Sequence, residues 1–283
     1  MIEPSTPWIP MTWPDLTSRV RAEPDHMFRY GTDQLQSVDL WLPSGDPPGC
    51  WPTVVMVHGG CWQSSIADRR LMDWVAADLR ADGIAVWNID YRGVDRDGGG
   101  YPGTFCDAAA AVDLLREHAE ACRLDLSRIV AVGHSAGGHL ALWLAARHRL
   151  PRHSPLATED PLPIAHVVSL GGLPDLAAVE ASPDNGCGTK VIAQLVGGDR
   201  PDRFADTSVV ELLPVGVPID LIDGAQDRIV PAHMAPAFAA AAQAAGDRVT
   251  QRRVDDTGHV ELIAPGTTAW AAAKAAIARA RKG

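Results

Sequence analysis

Arg128-Ile129-Val130-Ala131-Val132-Gly133-His134-Ser135-Ala136-Gly137-Gly138-His139 runs a β-branched apolar segment into a Gly-x-Ser-x-Gly turn and then into an Ala/Leu-rich segment. The order predicts a strand, a tight turn carrying Ser135, and a helix. A bulky side chain at Gly133 or Gly137 would collide with its neighbours in such a turn, so small residues there are what it needs. A serine hydroxyl is a poor nucleophile at its free pKa. Chemistry at Ser135 therefore requires a base within reach and N–H groups aimed at a developing oxyanion.

Outward from this turn, strands and helices alternate. Residues 53–57, 84–89, 129–132, 167–170, 219–222 and 249–254 read as strands, and 53–57 is a continuous β-branched run suited to burial on both faces. Residues 65–81, 102–121, 136–147, 231–245 and 268–281 read as helices. The alternation implies a mostly parallel sheet with helices on both faces. Residues 27–30 and 35–42 alternate apolar and polar and predict an antiparallel hairpin on its edge. Residues 1–25 form a Pro- and Trp-rich arm ahead of one α/β domain, 26–283. Periodicity fails over 173–214, which predicts a small cap over the carboxyl ends of the strands, with a plain surface excursion as the alternative.

Composition narrows the chemistry. Apolar residues make up 46% and charged residues 21% of the 283, enough for a sizeable core. The formal net charge of −10 disfavours nucleic acid or an anionic membrane as partner. The first 14 residues lack a basic stretch followed by an apolar one, so no signal peptide is read and a cytoplasmic location is expected. No run reaches the roughly 20 apolar residues of a membrane span. Cys50, Cys61, Cys106, Cys122 and Cys187 are odd in number and form no Cys-x-x-Cys pair, which predicts reduced thiols and no metal site. No cofactor is expected, and a homodimer is left open.

A base and an acid follow Ser135 in chain order. Asp227 lies in a loop directly after the 219–222 strand, and His259 in Thr257-Gly258-His259 directly after the 249–254 strand. Asp223 is the rival acid, read instead as an acceptor that pins the loop. Asp255 and Asp256 stand too close to the histidine to reach its ring. His139 and His233 read as packing or capping residues. For the oxyanion, the Ala136 N–H would be joined by Gly60 or Cys61 from His58-Gly59-Gly60-Cys61-Trp62, which follows the 53–57 strand. His58 braces that loop, as does Asp90-Tyr91-Arg92. Cys61 reads as a small filler with a free thiol. Trp62 either stacks on a substrate's aryl or acyl group or packs the loop, and His134 is a second candidate for substrate contact.

With these residues in register, the chain from about Phe28 onward resembles α/β-hydrolases of the esterase, lipase and kynurenine-formamidase-like group. The resemblance implies an α/β-hydrolase fold, with Ser135 as nucleophile, His259 as base, Asp227 as orienting acid, and Gly60, Cys61 and Ala136 as the oxyanion hole. It implies hydrolysis of a small carboxylic ester or amide through an acyl-enzyme. The same residues would serve an acyltransferase if an alcohol or amine replaced water. Kynurenine formamidases resemble the chain in His-Gly-Gly-x-Trp but usually carry tyrosine where Cys61 stands.

Overall fold

A computed structural model describes residues 8–281. Eight strands form one sheet in the order β1-β2-β4-β3-β5-β6-β7-β8. They are β1 (His26–Arg29), β2 (Ser37–Trp41), β3 (Trp51–Val57), β4 (Ala85–Ile89), β5 (Leu124–His134), β6 (His166–Leu170), β7 (Ile219–Gly224) and β8 (Val249–Val254). β1 and β2 pair antiparallel at one edge, and β2 runs antiparallel to β4. From β4 to β8 every pairing is parallel, as helical crossovers demand. The sheet is the one the alternation predicts, with the hairpin on its edge.

β3 shows why its apolar run is continuous. Val55 and Val57 join a core on one face, and Val54 and Met56 a second core on the other. The first core takes side chains from α3 (Gly103–Asp113), α5 (Ala136–Ala146) and α8 (Met234–Ala244), the second from α2 (Asp73–Ala81) and α9 (Thr268–Ala280). All of α5 is buried, which accounts for its apolar residues on every side. Leu16 of the short α1 (Trp13–Thr17) anchors the arm into the second core.

Two predicted helices are shorter than expected. The 65–81 segment begins with turns and a 3-10 stretch, Arg69–Met72, before α2. The 102–121 segment breaks at Leu114 into α3 and α4 (Leu115–His118). Between β6 and β7 the 173–214 insertion folds into α6 (Leu176–Ala181), α7 (Lys190–Leu195) and a 3-10 turn, Val209–Leu212. Among the described residues, no helix is long and apolar enough to cross a membrane.

Candidate active site

β5 ends at His134, and Ser135 takes φ 55°, ψ −122° before α5 begins. That left-handed backbone is strained for a serine. It holds because the turn is clamped: a Cβ on Gly137 would stand 2.2 Å from the Val57 carbonyl oxygen, and one on Gly133 would stand 2.0 Å from that of Gly137. The Ser135 N–H is itself tied to the Leu170 carbonyl at 2.9 Å. The result sets the hydroxyl at the N-terminus of an 11-residue helix, where the axial dipole favours negative charge.

His259 and Asp227 meet across the ends of β8 and β7. Nδ1 of His259 donates to Asp227 Oδ2 at 2.7 Å, leaving Nε2 as the ring's remaining acceptor. The other carboxylate oxygen, Oδ1, accepts the N–H groups of Ile229 (2.8 Å) and Val230 (3.1 Å). Burial pushes the Asp227 carboxyl up, but the bond to His259, its charge and these two N–H groups outweigh it and hold the group below its ordinary 3.8. Asp223 does not reach His259. Its Oδ2 is buried without a partner among the described residues, which departs from the loop-pinning role expected of it. Burial, then the Asp227 charge, raise its pKa to about 7.

The histidine loop is braced by two residues. His134 donates Nε2–H to the His259 carbonyl at 3.1 Å. Glu261, which sequence reasoning passed over, accepts the Gly258 N–H at 3.0 Å and the Met11 N–H of the arm at 2.6 Å. The arm thereby brings Trp13 edge-on to His259 and His134, with ring centroids 6.3 and 6.2 Å away. A Trp in an aperiodic arm carries no sequence signal of such a placement.

The loop after β3 runs against the elbow. His58 is locked between Asp90 Oδ1 (3.0 Å) and its neighbour's carbonyl, and Tyr91 donates its hydroxyl to the His58 carbonyl at 3.0 Å, the bracing roles expected of them. Gly60, Cys61 and Trp62 all have positive φ, at 106°, 53° and 53°. Among the described residues no acceptor takes the N–H of Gly60, Cys61 or Ala136, so all three donors are available. Trp62 does not face a substrate. It is fully buried and donates Nε1–H to His139 Nδ1 at 3.2 Å, so of the two readings it packs the loop. His139, its pKa lowered to about 4 by burial against the opposing pull of the Thr207 carbonyl, stays neutral and can accept that proton.

Cys61 corrects the sequence expectation of reduced thiols. It forms a disulfide with Cys187 of the insertion, Cα atoms 5.3 Å apart across a sequence separation of 126. Cys50, Cys106 and Cys122 are free. An odd cysteine count is compatible with one bridge, and sequence spacing cannot reveal a pairing that the fold creates.

Ser135, His259, His134, Gly60 and Cys61 line one cavity of about 420 Å³. Its remaining walls are Trp13, Thr17, Ile66, Ala67, Leu71, Gly186 and Ile229. Among the described residues that line it, none is an Asp, Glu, Lys or Arg. Such a pocket can hold an apolar acyl or alkyl group against the hydroxyl while the histidine removes its proton.

A family model named BD-FAE matches residues 38–241. The chain belongs to the BD-FAE family. The matched span takes in Ser135 and Asp227 and ends before His259. Esterase LipC of Mycobacterium tuberculosis is 26% identical over 215 residues, covering 74% of this chain and 52% of that protein. The isoprenylcysteine alpha-carbonyl methylesterase ICME of Arabidopsis thaliana is 26% identical over 244 residues, 83% of this chain and 56% of its own length. The chain thus spans about half the length of the curated relatives it matches. Esterase B from Lactobacillus Rhamnosis (HN001) superimposes with a TM-score of 0.75 at 19% identity, covering 93% of this chain and 87% of that one. At that identity the likeness speaks for the fold, which is that of an α/β-hydrolase.

Proposed function

We propose that the protein is a serine carboxylesterase that cleaves small neutral esters through an acyl-enzyme on Ser135. One observation carries the reading: His259, oriented by a 2.7 Å bond to a carboxylate held below its ordinary pKa, shares a cavity with a serine on a strained elbow.

In this reading Nε2 of His259 takes the Ser135 proton as Oγ attacks the ester carbonyl, and Asp227 stabilises the imidazolium that results. The oxyanion collects the Ala136 N–H and one from Gly60 or Cys61, where losing a single donor costs on the order of 100- to 1000-fold in rate. The imidazolium then protonates the departing alkoxide. Water, deprotonated by the same nitrogen, releases the acid.

The apolar walls favour a neutral substrate. A zwitterionic amino acid such as N-formylkynurenine would bring an ammonium and a carboxylate to walls that offer neither a charged partner, at a desolvation cost on the order of several kcal/mol per ion. The names of the relatives also lean toward esters. The 173–214 insertion serves as the cap of this site and the arm as its second wall.

The test is a panel of p-nitrophenyl esters of graded acyl length beside N-formylkynurenine, with Ser135→Ala as control. The expected result is turnover of the short esters and a stoichiometric fluorophosphonate adduct, both lost in Ser135→Ala. Turnover retained by that variant overturns the proposal. Exclusive formation of a transfer product when an alcohol competes with water would replace hydrolysis by acyl transfer.

A further inference from the structure

The Cys61–Cys187 bridge joins the loop proposed to bind the oxyanion to the insertion above it. Three facts give that bridge a role beyond covering the cavity. Cys61 holds a left-handed φ of 53°, between residues at 106° and 53°. Non-glycine residues keep such angles only where their surroundings over-determine them. Trp62 is over-determined: its indole bonds to His139, and its carbonyl accepts the Val94 N–H at 2.7 Å. Cys61 has only its sulfur bond as side-chain anchor, yet its N–H is one of the donors available to the oxyanion.

The far end of the bridge is itself fixed to the site. The Cys187 N–H is held by Asn185 Oδ1 at 3.0 Å, and Asn185 Nδ2 donates to the Val179 and Ser182 carbonyls. Next to it, the Gly186 N–H donates to the Ile229 carbonyl at 2.8 Å, and the Ile229 N–H donates to Asp227 Oδ1 at 2.8 Å. A continuous set of bonds thus runs from the oxyanion loop through the insertion to the carboxylate that orients His259.

We propose that Cys187 is a positioning residue, holding the Gly60-Cys61 donors in place through its disulfide, so that full turnover belongs to the oxidised form alone. The inference rests on the esterase reading above. A dithiol reverses it: two electrons and two protons pass to the S–S bond, Cys61 and Cys187 become thiols, and the dithiol closes into its own disulfide. Donors freed to move by an ångström lose much of their hold on the oxyanion, an effect that reaches 100-fold for misplacements of that size.

The experiment takes the full chain as purified, before and after excess dithiothreitol is removed by gel filtration without air. Thiols counted in denaturant rise from three (Cys50, Cys106 and Cys122) to five on reduction. On p-nitrophenyl acetate kcat falls roughly tenfold or more, with KM changed less than about twofold because uniform binding is untouched. Reoxidation restores kcat. Cys187→Ser shows the low kcat from the start and no further response to the dithiol, and should that variant fail to fold, the reduction and reoxidation of the unaltered chain decide the matter. Five thiols before reduction, an unchanged kcat after it, or a rise in KM with kcat held would each overturn the proposal. Absence of any Ser135-dependent turnover in the oxidised chain marks failure of the esterase reading instead.

Discussion

His134 and His259 lie with ring centroids 4.4 Å apart, and His134 donates its Nε2 proton to the His259 backbone carbonyl at 3.1 Å. The residue that precedes Ser135 thus fixes the loop that carries His259, the proposed base. Burial, reinforced by the His259 charge, drives the His134 pKa well below 6.5, so it stays neutral and adds no repulsion when the neighbouring imidazole is protonated. Nδ1 of His134 has no partner among the described residues, so its contribution is the single donated bond.

Replacing that donor separates its effect from packing. His134→Leu is expected to lower kcat roughly tenfold by letting the His259 loop drift, while His134→Gln, which can still donate to the carbonyl, recovers most of it. Steady-state kinetics on p-nitrophenyl acetate check this. Equal losses in both variants would count against the bond.

Asp227→Asn is expected to cost about 1000- to 10,000-fold in kcat, since an amide cannot hold the Nδ1–H tautomer as a carboxylate does. The same residue predicts an acid limb of stability. Its folded pKa is depressed below 3.8, so the stabilisation is present above the unfolded value and is lost as pH falls through the folded one. Melting temperature followed from pH 5 downward should drop more steeply in the unaltered chain than in Asp227→Asn.

Asp223 carries the opposite sign. Its pKa is raised to about 7 by burial and then by the Asp227 charge, so the folded state holds a proton that the unfolded chain releases near 3.8. Its contribution is complete below 3.8 and declines as pH rises through 7. Asp223→Asn should therefore melt about 2–4 °C higher than the unaltered chain at pH 8, as about 1 kcal/mol does in a domain of this order, and show little difference at pH 4. A gain at pH 4 as large as at pH 8 would contradict this assignment.

What could be read in the sequence is whatever depends on local pattern. β3 and the second half of β5 are buried between two layers, so their apolar runs are continuous, and Ser135, Asp227 and His259 each lie within five residues of the end of a strand whose direction the parallel sheet dictates. What escaped depends on contacts between distant segments. Trp62 could stack or pack by composition alone, and His139 on another element settles it. The Cys61–Cys187 pairing exists because the insertion folds back over the β3 loop. The break at Leu114 has no proline or glycine to announce it, since Leu114 keeps helical angles while its carbonyl accepts the Glu117 N–H, three residues on, at 3.0 Å.

Trp13 follows from none of those patterns, and its place beside the cavity predicts chain-length selectivity. Its indole is 39% exposed and meets His259 edge-on at an interplanar angle of 85°, with Ile66 also on the wall. The short helix beneath it has its own anchors: Leu16 is buried, Asp15 accepts the Thr12 N–H at 2.7 Å, and Glu261 holds Met11. Trp13→Ala should therefore remove the wall without releasing the helix. A short acyl group then loses apolar contact of about 1–3 kcal/mol, and kcat/KM for p-nitrophenyl acetate drops roughly tenfold. A longer chain gains the vacated space, so the octanoate ester loses less or improves, and the ratio of the two specificity constants moves toward the longer chain. If both esters fell by the same factor, Trp13 would be acting on His259 and not on the acyl group; an unchanged ratio is the outcome that removes it from the specificity wall.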